Sequence, residues 1–514
     1  MRRAGVLLHP TALPGTPACG SLGQVAHAWI DALADQGIGA WQLLPLAPTD
    51  GTGSPYSSPS GFALNPWLLD GEQLVADGLI DRSDLEALPI ADAEGGLDLA
   101  LAEQRAVGLA QALLRRQPGW PQPQQQAFAR WCAGQAFWLI DHCRFMVLRR
   151  LQQQRPWWCW PAPLARRRPG ALRRLDRQQA EALRAEALLQ WQLQHQWQRL
   201  LDHARARGVQ VIGDLPFYVA HDSADVWSRR RLFSVRADGR LDSQSGVPPD
   251  YFSATGQLWG TPVYRWPLHR LSRFGWWMRR LQRQLELVDR LRLDHFRALE
   301  AAWCVPGGDT TAMAGVWRRS PGQALLRRFQ ALRHGGELPL IAEDLGVITP
   351  EVEALRDRYR LPGMKILQFA FDGNPDNPYL PENYRGSAWV VYTGTHDNAT
   401  SIGWWNGLGS EERQRVETCL GAPVQAPGWQ LLELALASEA ELAVVPLQDL
   451  LELGDEARFN TPGTLGGNWC WRLDRPISAL AGPLQGLGAM ARRYGRDSEV
   501  VRPVAALEAG TGCR

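Results

Sequence analysis

Residues 290–299 read RLRLDHFRAL, an alternating apolar run that ends in a cluster of charged residues. Leucine alternates with arginine up to Asp294, as in a β-strand. Residues two apart on a strand point the same way, so Arg292 and Asp294 should share one face. His295 should point to the opposite face, and we expect it to be structural.

Seven further strand-like runs are spread along the 514-residue chain. They are GVLLHP from Gly5, AWQLLPL from Ala40, VQVIGDLP from Val209, LPLIAEDLG from Leu338, MKILQFAF from Met364, AWVVYTGTHDN from Ala388 and ELAVVPLQDLL from Glu441. Each is nearly continuous in apolar residues, which is typical of parallel strands covered on both faces. Helix-like segments separate them. Eight such units predict an α/β fold, a (β/α)8 TIM barrel with large insertions between strands.

Several gaps between these runs are longer than one helix, so we predict insertions in a single catalytic barrel spanning residues 1–514. Residues 66–207 have Leu, Gln, Arg, Ala and Trp at helical spacing, which predicts a mainly helical insertion subdomain. Residues 218–283 are dense in Gly, Pro, Ser and aromatics, which predicts a long ordered loop. Loops of this length are usually functional, and this insertion should include a substrate-covering loop.

Composition gives no indication of a nucleic-acid, membrane or metal partner. Lysine and arginine total 55 against 53 acidic residues, and the net charge of +2 gives no reason to expect nucleic acid or a membrane as partner. The eight cysteines show no spacing suited to zinc. No apolar stretch is long enough for a signal-peptide core or a membrane span. We therefore expect a cytoplasmic protein with no metal and no cofactor.

Polar residues stand at the ends of four predicted strands, where the loops of a barrel converge on one site. They are Asp214, Asp294, Glu343 with Asp344, and His396 with Asp397. A single acid there is often a helix N-cap or a solvated loop residue, but four in register predict one pocket. Two carboxylates across an uncharged polar substrate suit glycoside cleavage. Metal binding is the competing use, although Arg292 would repel a cation and keep Asp294 ionised.

Six motifs resemble those of the amylomaltases, the 4-α-glucanotransferases of glycoside hydrolase family 77. They are SPYSSPSGFALNP, GDLPFYV, RLDHFR, AEDLG, YTGTHDN and NTPG. The resemblance runs in the expected order from Gly5 to about Asn468. It implies a (β/α)8 barrel that cleaves an α-1,4-glucan with retention and passes the donor fragment to another sugar. The implied substrates are α-1,4-glucans and maltooligosaccharides, with glucose as an acceptor.

Matched residue by residue, the resemblance assigns three catalytic carboxylates. Asp294 would be the nucleophile, Glu343 the general acid/base, and Asp397 the third carboxylate, which holds donor hydroxyls and favours ring distortion. Because Glu343 must begin protonated, a pKa raised by burial and by its neighbours suits the cycle. The resemblance also implies several substrate-binding residues. Arg292 would orient Asp294 and lower its pKa, and Tyr56 would stack on the donor ring. Asp214 and His396 would form hydrogen bonds with sugar hydroxyls, and Asn460 of NTPG would also bind substrate.

Four residues of the second insertion, Tyr251, Phe252, Gln257 and Trp259, resemble the family's lid over the acceptor side. The alternative is that these aromatics only pack the loop. A lid would bear on mechanism, because transfer to sugar requires that water be excluded and a sugar hydroxyl be positioned.

Three positions depart from the family pattern. Thr261 stands where asparagine is usual, Ala302 where tyrosine is usual, and Ala399 where aspartate is usual. These changes bear on subsite affinity and on the geometry around Asp397, and none removes a catalytic carboxylate. Two other functions stay open: a retaining hydrolase such as an α-amylase, and a catalytically inactive glucan-binding protein on the same barrel.

Overall fold

The computed structural model describes residues 2–90, 96–249, 254–464 and 466–498. Its strands are β1 (Arg3–Leu7), β2 (Ala40–Gln42), β3 (Gln210–Leu215), β4 (Ser243–Val247), β5 (Gln257–Pro262), β6 (Arg290–Leu293), β7 (Ala301–Pro306), β8 (Val316–Arg319), β9 (Leu340–Ala342), β10 (Gly363–Ile366), β11 (Trp389–Tyr392) and β12 (Leu442–Pro446).

Eight of these strands form one parallel sheet in the order β10-β11-β12-β1-β2-β3-β6-β9. The N–H of Ala342, at the end of β9, donates to the carbonyl of Pro362 just before β10 at 2.8 Å. This bond nearly closes the sheet into a barrel. The predicted (β/α)8 fold is confirmed, and each of the eight predicted runs supplies one barrel strand.

The helices occupy the segments between the strands. The α-helices are α1 (Gln24–Asp35), α2 (Gly71–Ala76), α3 (Arg82–Glu86), α4 (Leu99–Arg116), α5 (Gln122–Gly134), α6 (Leu139–Leu151), α7 (Ala162–Ala165), α8 (Pro169–Gln178), α9 (Ala180–Ala206), α10 (Ala224–Ser228), α11 (Trp266–Leu271), α12 (Gly275–Leu287), α13 (Gly322–Leu332), α14 (Pro350–Arg358), α15 (Ser401–Gly407), α16 (Ser410–Leu420), α17 (Pro427–Ala437), α18 (Leu447–Leu450) and α19 (Ala481–Arg493). Short 3-10 helices include Pro66–Leu68, Phe296–Leu299 and Leu367–Phe369. Within the described ranges, no helix is long and apolar enough to cross a membrane.

The first long insertion is helical where the structure describes it. Helices α2 to α9 lie between residues 66 and 207. The longest, α9, is joined to α12 by Trp197, whose indole N–H donates to the carbonyl of Leu287 at 2.6 Å. The buried amide of Gln190 exchanges two hydrogen bonds with the backbone of Leu64. The division of the chain into a barrel and insertion subdomains stays a prediction.

The interpretation of residues 218–283 as a long loop is wrong for much of that segment. Strands β4 and β5 pair antiparallel there, and β4 also pairs with β7, which pairs in turn with β8. The resulting four-stranded sheet has the order β5-β4-β7-β8. Its partner strands β7 and β8 follow the fourth barrel strand, so local composition could not reveal the pairing. The segment also contains α10, α11 and the start of α12.

An aromatic cluster supports this second insertion. Tyr264 donates its hydroxyl to the carbonyl of Phe217 at 2.6 Å and stacks on Tyr218 with ring centroids 5.9 Å apart. Other rings of the cluster are Phe233, Trp266, Trp276 and Trp277. Several of the 24 tryptophans are fully buried, including Trp29, Trp41, Trp157, Trp191, Trp197, Trp227 and Trp277. Much of the tryptophan excess therefore serves packing.

Asp344 joins three consecutive elements of the barrel. It follows β9, pairs with Arg356 of α14 at 2.5 Å, and accepts the N–H of Met364 in β10 at 2.8 Å. Both charged side chains are buried. This carboxylate is thus neither a helix N-cap nor a solvated loop residue, and its contacts are structural.

We expect Asp344→Asn to lower the free energy of unfolding by about 3 kcal/mol, because the buried guanidinium of Arg356 then loses its buried anionic partner. The midpoint of urea denaturation, followed by tryptophan fluorescence, measures this loss. Asp357→Asn is the matched control, because Asp357 contacts the same Arg356 but is largely exposed, and it should cost less than about 1 kcal/mol. Equal losses in the two variants would contradict a buried structural role for Asp344.

Candidate active site

Asp294 and Glu343 follow neighbouring strands directly. The register pairs Leu293 of β6 with Ala342 of β9, so the next residue on each chain is a carboxylate. The Glu343 N–H donates to the Leu293 carbonyl at 3.1 Å. Neighbouring strands lie about 4.8 Å apart. The two carboxylates therefore stand side by side at the carboxyl end of the barrel.

Arg292 connects the strand-end carboxylates across the barrel interior. Its Nη1 lies 2.7 Å from Asp214 Oδ2 and 3.0 Å from Asp294 Oδ1. The register pairs Asp214 of β3 with Arg292 of β6, which places both inside the barrel. Burial would lower the pKa of Arg292, but Asp214 and Asp294 outweigh it, so its pKa lies well above the ordinary value. The guanidinium is therefore a fixed positive charge beside Asp294.

Glu343 is contacted by backbone amides, whereas Asp294 is contacted by an arginine side chain. Its Oε2 accepts the N–H of His295 at 2.6 Å, and its Oε1 accepts the N–H of Leu345 at 3.1 Å. Burial raises the pKa of Glu343 to about 8; Arg292 and the two amides oppose the shift, and Asp294 adds to it. Near neutral pH this carboxyl group therefore carries a proton, as a general acid requires.

Asp397 is the most exposed of the three predicted catalytic carboxylates, with 46% of its side chain accessible. Asn460 donates its Nδ2 hydrogen to Asp397 Oδ1 at 2.6 Å, and Arg458 donates to the Asp397 carbonyl at 2.6 Å. The His396 ring lies 3.4 Å from Asp397 Oδ2. The segment around NTPG thus holds this carboxylate in place. Asn460, predicted to bind substrate, contacts Asp397 directly.

Tyr56 joins two of the predicted binding residues. Its hydroxyl donates to Asp214 Oδ2 at 2.6 Å, and its ring stacks on His396 with centroids 5.1 Å apart and planes 12° apart. Asp214 Oδ2 therefore accepts from both Tyr56 and Arg292, whereas its buried Oδ1 has no hydrogen-bond partner among the described residues. Burial raises the pKa of Asp214, and Arg292 opposes the shift.

Sequence reasoning missed Trp469, whose ring lies 5.7 Å from Tyr56 and 6.0 Å from His396. Its backbone has the left-handed φ of 62°, which is uncommon for a bulky residue. The only signal in the sequence was its position just after the glycine-rich stretch that follows NTPG.

The predicted acceptor-side residues are only partly described. Trp259 of β5 is 37% exposed and meets His295 edge-on at 4.7 Å, and its indole N–H donates to Gln257 Oε1 at 3.3 Å. Tyr251 and Phe252 lie outside the described residues. The choice between a lid and simple loop packing therefore stays open at those two positions.

The three departures from the family pattern fall in different surroundings. Thr261 shares a short hydrogen bond with Ser245 of β4. Ala302 of β7 is buried, and Ala399 accepts a bond from Gln368 through its carbonyl. None of them contacts a predicted catalytic carboxylate through a hydrogen bond. Among the described residues, no group of three or more His, Cys, Asp or Glu side chains could hold a metal ion.

Comparisons with known proteins identify the family of this chain. The family model described as 4-alpha-glucanotransferase of glycoside hydrolase family 77 matches residues 8–478. Curated 4-alpha-glucanotransferases of Synechocystis sp. and Thermus thermophilus are 44% and 43% identical, over 92% of this chain and 94% and 95% of their own length. An amylomaltase structure from Streptococcus agalactiae in complex with acarbose is similar with a TM-score of 0.92 and 31% identity, over 97% of this chain and 100% of that chain. The chain therefore belongs to glycoside hydrolase family 77, the 4-alpha-glucanotransferases.

Proposed function

We propose that this enzyme transfers a segment of an α-1,4-glucan to the 4-hydroxyl group of glucose or a maltooligosaccharide through a covalent glycosyl-enzyme on Asp294. The observation that carries the proposal is the adjacent pair of Asp294 and Glu343, one paired with a buried arginine and the other with a raised pKa. Retaining enzymes place two carboxyl groups about 5–5.5 Å apart, which is close to the spacing of neighbouring strands.

In the first step, Glu343 donates its proton to the glycosidic oxygen while an Asp294 oxygen attacks the anomeric carbon. The bond from that carbon to the leaving oxygen breaks, and the reducing-end fragment departs with the proton. Arg292 favours this step because its positive charge lies 3.0 Å from Asp294 Oδ1 and holds that carboxylate in position for attack. Glu343 is left as a carboxylate, stabilised by the two amides that donate to it.

In the second step, Glu343 removes the proton from the acceptor's 4-hydroxyl group as that oxygen attacks the anomeric carbon. The bond to Asp294 breaks, and a new α-1,4 linkage forms with the original anomeric configuration. The enzyme returns to its starting protonation state, because Glu343 carries the proton again.

The donor sugar is held on the side of Asp214 and Asp397. Asp214 Oδ1 is buried without a hydrogen-bond partner among the described residues, which a donor hydroxyl would supply, and the rings of Tyr56 and Trp469 offer apolar faces to a sugar ring. Asp397 is fixed by Asn460 and reaches solvent, so it can accept donor hydroxyls and strengthen those bonds as the ring distorts.

We expect pure maltotriose to give both longer oligomers and glucose, because the acceptor is another sugar. A retaining hydrolase would give only shorter products, and an inactive glucan-binding protein would give none.

Asp294→Ala should lower transfer by at least about 10⁴-fold, because the covalent intermediate cannot form. The product ladder, separated by chromatography, measures both outcomes.

A circular dichroism spectrum and unfolding midpoint like those of the parent protein control for misfolding of Asp294→Ala. Turnover close to that of the parent would refute Asp294 as nucleophile. A parent protein that produces only shorter oligomers would refute transfer itself.

We expect kcat/KM for maltotriose to fall about tenfold per pH unit above a pKa of about 8, because only protonated Glu343 can act as the acid in the first step. The pH profile from 5 to 10 measures this alkaline limb. Glycosylation by α-maltosyl fluoride, whose leaving group needs no proton, should lack the limb. Glu343→Gln should lower kcat/KM for maltotriose by about 10²- to 10⁴-fold, but it should lower the rate of glycosylation by the fluoride, measured as initial fluoride release, much less. An identical alkaline limb for both donors would contradict the role of Glu343 as acid.

A further inference from the structure

A cavity opens at the end of the barrel opposite the strand-end carboxylates. Its volume is about 540 Å³, within the range of about 300–1,000 Å³ that is typical of small-molecule sites. Residues at or just before the starts of β1, β3, β6, β9, β11 and β12 line it. The two chemical steps proposed above take place at the other end of the strands and leave this amino-end cavity without a role.

Two arginines occupy inward-facing positions at this end of the barrel. The strand register places Arg3, Gln210 and Arg290 on the same face of the sheet as Arg292, which lies inside the barrel. Branched apolar side chains usually fill such interior positions. Arg3 and Arg290 are each partly exposed and line the amino-end cavity. The cavity thus gives solutes access to two positive charges of the barrel interior.

Only part of the charge around the amino-end cavity is paired. Arg290 forms an ion pair with Glu441 at 2.6 Å, and Asp289 forms one with Arg205 at 2.8 Å. Arg3 has neither an ion pair nor a side-chain hydrogen bond to any described residue. Its guanidinium group is therefore free to bind an anion that enters the cavity.

Arg2 adds a second uncompensated charge to the wall of the cavity. Its Nη1 and Nη2 atoms donate to the carbonyls of Ser438 and Tyr494, at 3.0 and 2.7 Å. Arg2 has no carboxylate partner among the described residues, and buried Arg496 donates to the same Ser438 carbonyl at 2.7 Å. Burial lowers the pKa of Arg496 to about 10, and the positive charge of Arg2 adds to the shift. The charge around Arg2 is therefore positive in excess, which an anion bound in the cavity would offset.

We propose that the amino-end cavity binds a phosphorylated sugar, whose phosphate group is bound by Arg3 and attracted by the charge of Arg2. Guanidinium groups form paired, charge-assisted hydrogen bonds with phosphate oxygens. The side chains of Gln210, Glu337 and Ser387 also line the cavity, and they offer the amide, carboxylate and hydroxyl groups that bind sugar hydroxyls. This binding site is separate from the proposed transfer reaction and does not depend on it.

The distribution of charge around the cavity favours a single phosphate group on an uncharged sugar. A neutral sugar would leave Arg2 and Arg3 without an anion. A ligand with several negative groups would be repelled by Glu337, which is exposed and has no ion pair among the described residues. A sugar with one phosphate group satisfies the unpaired arginines and the hydroxyl-binding side chains together.

Isothermal titration calorimetry of the full-length enzyme tests the proposal with glucose 6-phosphate, glucose 1-phosphate, glucose and inorganic phosphate as probes. We expect at least one sugar phosphate to bind at least about tenfold more tightly than glucose or inorganic phosphate, because only a sugar phosphate contacts both kinds of group. Arg3→Gln should raise its Kd by at least about tenfold, because a charge-assisted bond is lost. Arg2→Gln should raise the Kd by about threefold, because positive charge near the phosphate is removed.

Arg174→Gln is the matched control, because Arg174 of α8 is exposed and lies outside the cavity. This variant should bind the sugar phosphate as the parent does. All three variants should keep the parent's kcat/KM for maltotriose, because none of the replaced side chains forms an ion pair with a strand-end carboxylate. That activity also shows that each variant is folded.

Sugar-phosphate binding that persists unchanged in Arg3→Gln would place the ligand elsewhere on the enzyme and overturn the proposal. Equal weakening in Arg174→Gln would overturn it too, as would inorganic phosphate that binds as tightly as the sugar phosphates. The absence of saturable binding of either sugar phosphate has the same consequence. Loss of maltotriose transfer by the parent enzyme would instead refute the transfer function and leave this binding test unaffected.

Discussion

The buried guanidinium of Arg292 forms ion pairs with both Asp214 and Asp294 through its Nη1 atom. Burying one ion costs several kcal/mol unless oppositely charged groups compensate it. The pairing between β3 and β6 must therefore place Asp214 directly beside Arg292. A second ion pair of Arg292 holds the carboxylate of Asp294 at the mouth of the barrel. The strand register and the position of the predicted nucleophile therefore both depend on the Arg292 charge.

The neighbouring carboxylates Asp294 and Glu343 have different electrostatic surroundings. Asp294 has an arginine at 3.0 Å and is partly accessible, whereas Glu343 is held by backbone amides and has no ion pair among the described residues. Burial then raises the pKa of Glu343 to about 8, so it is protonated near neutral pH. Side chains that differ by one methylene group are thus suited to opposite roles, because one is paired with a cation and the other is not.

The small antiparallel sheet contacts the carboxyl end of the barrel strands through Trp259 and His295. Strands β4 and β5 come from the insertion before the fourth barrel strand, and β7 and β8 come from the segment after it. Their pairing places Trp259 against His295, directly beside Asp294 and Glu343. The second insertion and the predicted general acid/base are therefore both in contact with His295.

The sequence alone determined the barrel and the identity of the strand-end carboxylates, because apolar runs and the residues that follow them are local features. All eight barrel strands were found, and Arg292, Asp294 and Glu343 lie at adjoining strand ends as their positions indicated. Only the tertiary structure decided the structural ion pair of Asp344, the contact of Asn460 with Asp397, the position of Trp469 and the direction of His295. These features depend on pairing between distant segments and, for His295, on a left-handed backbone turn. No periodicity in the sequence encodes them.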